Sequence, residues 1–269
     1  MSKGNSNKAL IIIRNYVMGR FLERLSLSPY RNNLILKGGV LVSAVVGLDK
    51  RSTMDVDTAV KNLSLSVESA RKIVAEIISI PLEDGMAFEI KDADGIMDEA
   101  DYAGVRIMLD TTLETMHTPL KIDFSTGDVI TPKEISYSFQ LLFENRTISI
   151  MTYNLETVLA EKLETLITRG TANTRMRDFY DIYALETLQS DDINPAVLNN
   201  AFTNTSRERG SVTVVRGAEL ILDEVGTSPK IAALWKSYQN KFDYAADVSW
   251  GDVMKSVRKL YELATLHGS

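Results

Sequence analysis

The sequence predicts an α+β protein in which a mixed sheet with flanking helices is followed by an all-helical half. Three observations carry this. Residues 34–60 read as a strand, a Gly-Gly turn, a helix, a polar loop and a second strand. Residues 86–151 break into short runs of β-rich alternation separated by Gly, Asp, Pro and Asn. Beyond residue 154 the apolar spacing becomes helical and stays so. The change of period puts a boundary near residue 152 and gives an α/β domain, 1–152, and a helical domain, 153–269.

Taken in order, residues 8–27 carry Ile12, Tyr16, Phe21 and Leu25 at helical spacing, and Pro29 marks the end. The strand–turn–helix–strand unit follows. Residues 66–80 read as another helix, with Ser66 as N-cap and Pro81 as the stop. Strands are expected in AFEIKD, GVRIMLD, PLKIDFS, ISYSFQLLF and RTISIM, and the acidic stretch 92–101 is expected to be a solvated turn. Helices are expected in LETVLAEKLETLI, RDFYDIYALETL and PAVLNNAF and around Trp235 and Tyr261. Trp235, Tyr238 and Trp250 are spaced for helix packing rather than base stacking.

Composition narrows the chemistry. The 269 residues are 45% hydrophobic and 25% charged, ordinary for a folded globular chain. A net charge of −6 argues against a generally basic nucleic-acid binder, although a local basic groove can exist within an acidic whole. The absence of cysteine excludes disulfides, thiolate nucleophiles and Cys-rich zinc sites. With only His117 and His267, a histidine metal site or Ser-His-Asp triad is disfavoured. The apolar run at residues 9–13 is too short for a membrane span, so a cytoplasmic protein is expected. The GxxxxGK[ST] and GxGxxG phosphate-binding patterns are absent.

The chemistry-bearing residues begin in the 34–60 unit. Strand alternation puts Thr53, Asp55 and Asp57 on one face and Met54 and Val56 on the other. Converging carboxylates repel unless a cation separates them, and a hard divalent ion with oxygen ligands is the usual solution. Gly38 and Gly39 open a helix whose free N–H groups favour an anion such as a phosphate. Together, these features suggest nucleotide chemistry. KGG, a helix and then R-S-T-x-D-V-D resembles the nucleotidyltransferase core of the AbiE-type abortive-infection toxins, members of the DNA polymerase β-like superfamily. The wider superfamily reads Gly-Ser at the turn. Here Gly39 and Val40 carry no hydroxyl, so backbone N–H groups, Ser43 or Thr53 would substitute.

Two-metal phosphoryl transfer ordinarily uses a third acid on a neighbouring strand. In PLKIDFSTGD, Lys121, Asp123 and Ser125 share one face, and Asp123 is the candidate; an exposed strand Asp is as good a reading, and Asp110 and Asp128 are rivals. The resemblance points to Asp123, because the family carries an I-D-[FIV]-S-like strand at this place.

The helix beginning near Leu155 holds an anomaly. Leu155, Val158, Leu159, Leu163 and Leu166 form an apolar stripe with Lys162 in its middle and Arg169 one turn past its end. A desolvated ammonium must pair with an acid, snorkel or meet an anion. On the next helix Asp178 and Asp181 lie on the side of Ile182 and Leu185. Two readings stand: a buried salt bridge between adjacent helices, or the wall of a phosphate-binding cleft. E-K-L-x-T-x-x-x-R followed by R-x-R-D-F-Y-D-I resembles the helical half of the same toxin family, in which the lysine and aspartate matching Lys162 and Asp178 belong to active-site motifs.

The expectation is thus a polymerase β-like core followed by a helical domain, with the nucleotide in the cleft between them. Asp55, Asp57 and Asp123 would hold Mg²⁺ or Mn²⁺, and Asp123 would help to deprotonate the acceptor; Lys162 and Asp178 join them as catalytic residues. Lys37, Gly38, Gly39, Arg51, Ser52, Thr53, Lys162, Arg169 and Asp181 form the expected nucleotide site. The resemblance implies an NTP substrate, transfer to the 3′ end of tRNA, growth arrest in phage defence, and a separately encoded antitoxin that restrains the toxin without stable binding. A small-molecule nucleotidyltransferase and a non-catalytic nucleotide-binding regulator are the alternatives. The arginines of R169-G-T-A-N-T-R175-M-R177 could touch nucleotide or RNA; Arg207, Arg209 and Arg216 read as solvated surface.

Overall fold

The computed structural model describes residues 3–47, 50, 51, 53, 55–97 and 103–266. Two compact units emerge. The first comprises Met1–Val45, Ser52–Asp128 and Glu134–Tyr153; the second comprises Val46–Arg51, Val129–Lys133 and Asn154–Ser269. The short segments 46–51 and 129–133 group with the helices, which periodicity does not reveal.

The first unit runs α1 (Lys3–Leu27), β1 (Leu34–Lys37), α2 (Gly38–Val46), β2 (Asp55–Val60), α3 (Val67–Ile78), β3 (Met86–Met97), β4 (Ala103–Leu113), β5 (Met116–Ser125), β6 (Ile135–Gln140) and β7 (Thr147–Thr152). Its strands form a sheet in the order β3-β4-β5-β2-β1-β7-β6. β2 runs parallel to β5 and β1 parallel to β7, while the other neighbours are antiparallel, so the sheet is mixed as expected.

Alternation divides the sheet chemically. Val56, Val105, Ile107, Leu109, Leu120, Ile122 and Phe124 point into a core completed by Phe21, Leu22 and Leu25 of α1 and Val74 and Ile77 of α3. The polar residues of the same strands therefore stand on the opposite face. α3 begins as expected at Ser66, whose hydroxyl accepts from the Ser69 N–H at 3.1 Å while the Ser69 hydroxyl accepts from the Ser66 N–H at 2.8 Å. One expectation fails here. The stretch from Asp92 is not a solvated turn, because β3 continues through a register shift at Ile90/Asp92 and pairs to Met97 against Ala103. Pairing with β4 satisfies its backbone despite the acidic composition. Residues 98–102 lie outside the described residues.

The helical unit contains α4 (Leu155–Arg169), α5 (Met176–Leu188), α6 (Pro195–Glu208), α7 (Val212–Arg216), α8 (Ala218–Thr227), α9 (Pro229–Lys241) and α10 (Trp250–Thr265). Asn154 caps α4 by accepting from the Thr157 N–H at 3.1 Å. Leu159, Leu163, Leu166, Phe179, Ile182, Leu198, Val257 and Leu260 are buried. The aromatic residues pack as spaced: Trp235 stacks on Tyr238 with centroids 5.4 Å apart, and its indole N–H donates to Val248 O at 3.0 Å. Among the described residues no helix is long and apolar enough to cross a membrane.

Candidate active site

The polar face of the sheet carries a row of charges at one level. Arg106 on β4 is the register partner of Asp123 on β5, Asp123 of Asp57 on β2, and Asp57 of Lys37 on β1. Side chains directly opposite across an antiparallel ladder sit about 4.5–5.5 Å apart at Cβ, and the parallel β2/β5 ladder sets Asp57 beside Asp123 on the neighbouring strand. Four strands therefore deliver a plus, two minuses and a plus in line. One step along, Asp55 is the partner of Lys121.

Each acid meets its surroundings differently. Arg106 grips Asp123 with both ends of its fork, Nε to Oδ1 and Nη2 to Oδ2, each at 2.8 Å. Lys121 Nζ lies 2.8 Å from Asp55 Oδ2 and 3.7 Å from Asp123 Oδ2. Lys37 Nζ reaches Asp128 Oδ2 at 2.6 Å, an oxygen that also accepts from the Ser125 hydroxyl at 2.7 Å. Asp57 makes no hydrogen bond or ion pair among the described residues. Burial raises its carboxyl above the usual range, and the charges of Asp123 and Asp55 add to the rise against Lys37 and Lys121. Two neighbouring acids bound by protein cations and a third unpaired between them make an oxygen-only donor set short of positive charge.

The Gly-Gly turn abuts that third acid. Gly38 has φ +64°, and a Cβ built there would lie 2.3 Å from Asp57 Oδ2. The first glycine is thus required by the close approach of the carboxylate as well as by its left-handed backbone. Gly39 stands half-buried in the first turn of α2.

A second charged cluster lies within the helical unit. Arg51 Nε lies 2.5 Å from Asp181 Oδ1 and its Nη2 3.1 Å from Oδ2. Lys162 Nζ lies 2.7 Å from Asp181 Oδ2 and 2.8 Å from Asp178 Oδ1, and Arg175 Nε lies 2.9 Å from Asp178 Oδ2. Arg51 is 1% exposed and Asp181 0%. Burial alone would raise Asp181, but Arg51 and Lys162 hold it down at about 2. Burial would conversely lower Lys162, and Asp178 and Asp181 keep it raised. Of the two readings of the inward lysine, the ion pair between adjacent helices is the one this geometry displays.

The expected site residues therefore fall into two groups. Lys37, Gly38, Asp55, Asp57 and Asp123 come together on the sheet. Arg51, Lys162, Asp178 and Asp181 come together among the helices, where the Arg51 guanidinium is enclosed on Asp181 rather than open to a phosphate. Arg169 is half-buried at the end of α4, Thr53 is buried, and Ser52 lies outside the described residues. Ser43, the other candidate for the missing turn hydroxyl, is also buried. Asp110 stands four residues beyond Arg106 on β4, next to His117 at 3.3 Å, and Asp123 alone of the rivals pairs in register with Asp57. Sequence reasoning missed Arg106 and the salt-linking role of Lys121. The signal was a lone cation on the polar face of VRIMLD, but its partner depends on the β4/β5 register.

Among the described residues no three acidic or histidine side chains converge closely enough to hold a metal ion. The donor set still fits a hard divalent cation. Its oxygens are all carboxylate, and Asp57, beside both of the other acids, is the one without a partner among the described residues.

A mixed sheet that sets two acids of one strand beside a third acid on its parallel neighbour, against a Gly-Gly helix start, is the arrangement of a nucleotidyltransferase. The family model of the nucleotidyl transferase AbiEii toxin, of type IV toxin–antitoxin systems, matches residues 20–261, and the chain belongs to that family. It is accordingly a toxin-family nucleotidyltransferase, which implies an NTP substrate and a separate antitoxin. A crystal structure described as a candidate nucleotidyltransferase from H. pylori aligns over 100% of both chains at TM-score 0.52 and 14% identity, a likeness of fold. That of JHP933 from Helicobacter pylori aligns over 98% of this chain and 94% of its own at TM-score 0.49 and 17% identity. None of the curated proteins matches.

Proposed function

We propose that the protein transfers a nucleoside monophosphate from an NTP to the 3′ end of tRNA in a metal-dependent reaction, arresting growth as a phage-defence toxin in the cytoplasm. The observation that carries the transfer chemistry is the register row Lys37–Asp57–Asp123–Arg106, in which Asp57 makes no ion pair among the described residues. The tRNA acceptor and the antitoxin acting without stable binding rest on the family resemblance.

The acceptor hydroxyl oxygen attacks the α-phosphorus, a new P–O bond forms, and the bond to the β-phosphate breaks to release pyrophosphate. Asp55, Asp57 and Asp123 would hold Mg²⁺ or Mn²⁺, which supplies charge neutralisation at the α-phosphate and the leaving group. Asp123 takes the acceptor proton. Lys37 and the N–H groups at the Gly38-Gly39 helix start bind phosphate oxygens, the N–H groups through the helix-terminal dipole. Lys162 and Asp178 match the lysine and aspartate of the family's active-site motifs, and Arg169 and Thr53 are further nucleotide contacts; Arg51 and Asp181 act by holding Lys162 in place.

The test is transfer of label from each α-³²P NTP, with Mg²⁺, onto total bacterial tRNA by wild type, Asp55→Ala and Lys162→Ala. Labelled tRNA from wild type only is the expected result. No labelled tRNA despite Mg²⁺-dependent NTP binding would overturn the tRNA acceptor.

A further inference from the structure

Arg106 is the part of the row that the proposed reaction does not use. It lies on β4, outside the strand–Gly-Gly–helix–strand unit, and its two 2.8 Å contacts occupy both oxygens of Asp123. A carboxylate gripped on both oxygens by one guanidinium has half of its lone-pair sites taken and its charge already balanced. Asp57, its register partner, remains unpaired among the described residues. The gripping side chain is also the more exposed member of the pair, 39% against 19% for Asp123. It can therefore swing into solvent without opening the core.

Resting on the metal-dependent reading above, we propose that Arg106 is a latch on the carboxylate site. In the free protein its guanidinium stands in for the divalent cation on Asp123, and the cation binds there only as Arg106 leaves. Once released, the same guanidinium stands beside the site with its fork open, suited to the phosphate oxygens of an incoming nucleotide. The latch thus makes free metal ion a poor ligand and metal with triphosphate a good one, because the triphosphate gives the displaced arginine a new partner. Lys121, which bridges Asp55 and Asp123 at 2.8 and 3.7 Å, shares the counter-charge but approaches as a point donor and leaves Asp123 oxygens accessible.

The measurement is Mn²⁺ binding to the full-length protein, followed by the loss of the free-ion electron paramagnetic resonance signal, without nucleotide and then with a non-hydrolysable NTP analogue. Arg106→Gln, similar in length and uncharged, is expected to bind Mn²⁺ alone about tenfold more tightly than wild type, because the fraction of open site rises and a like charge is removed. Arg106→Lys, charged but without the fork, is expected to fall between the two. With the analogue present the order reverses, wild type gaining more affinity than Arg106→Gln. Equal or weaker Mn²⁺ binding by Arg106→Gln overturns the latch while leaving the metal reading in place, provided Asp57→Asn abolishes binding. Failure of wild type and Arg106→Gln alike to bind Mn²⁺ overturns both.

Discussion

The sheet row and the helical cluster are built from the same residue types and are opposite in character. Both set acids between cations at salt-bridge distance. On the sheet, Asp55, Asp123, Lys121 and Arg106 keep partial contact with solvent, and Asp57 is left unpaired. Among the helices, Asp181 is held by Arg51 and Lys162 at once, inside a wall of Tyr180, Tyr238 and Tyr244. The first arrangement can exchange one cation for another. Around Asp181 the second cannot, because removing Arg51, Lys162 or the acid itself leaves charge uncompensated in a low-dielectric interior. Charge balance is thus common to both regions, and solvent access decides which of them can exchange its counter-charges.

The comparison breaks most visibly at Asp181. Asp181→Asn leaves Arg51 and Lys162 facing an amide, and a loss of about 3–5 kcal/mol in unfolding free energy is expected in urea denaturation. A loss under about 1 kcal/mol would show that the cluster is solvated and belongs with the sheet row.

On the sheet the expectation is reversed. Asp57→Asn should reduce transfer of label about 10²–10³-fold while the urea midpoint stays at or above that of wild type, since a repelled carboxylate is removed. A large stability loss would mean that Asp57 is held by partners after all, and the contrast would fail.

Acid titration sharpens the contrast next. Asp181 has a folded value near 2, below its ordinary unfolded value. Its contribution is therefore complete above about pH 4 and is lost as pH falls towards 2, a decline of about 2 kcal/mol. Subtracting the pH profile of Asp181→Asn from that of wild type isolates this decline. A flat difference across pH 4 to 2 would remove the ion cluster from the acid response.

These two regions were unequally legible in the sequence. Alternation in DVDTAV and KIDFS placed the three acids on polar strand faces, and helical spacing turned Lys162, Asp178 and Asp181 inward, because both periods are local properties of the chain. What stayed hidden is non-local. Arg106 meets Asp123 through an antiparallel register, and Arg51 meets Asp181 across 130 positions. Neither follows from spacing. The acidic composition at 92–101 pointed to a turn, whereas pairing with β4 made 92–97 strand, tertiary context overriding a weak local preference. The glycine at 38 was legible as a turn, but its second reason, the carboxylate of Asp57 pressed against it, needed the β1/β2 ladder.

That second reason gives the smallest and most discriminating effect. Gly38→Ala forces a side chain onto a φ of +64°, which costs about 1–2 kcal/mol by itself. The added Cβ also meets Asp57 Oδ2 at 2.3 Å, but that atom is the end of a side chain and can rotate away. Stability should therefore fall by little more than the backbone cost, while the displaced carboxylate reduces transfer. A double-mutant cycle separates the parts: in an Asp57→Ala background the carboxylate's share vanishes and only the Cβ at 3.1 Å remains, so Gly38→Ala should cost little more than the backbone amount in urea denaturation. If the full cost persists there, Gly38 is set by the turn alone. The contact between the Gly-Gly helix start and the central acid would then have no part in shaping the row.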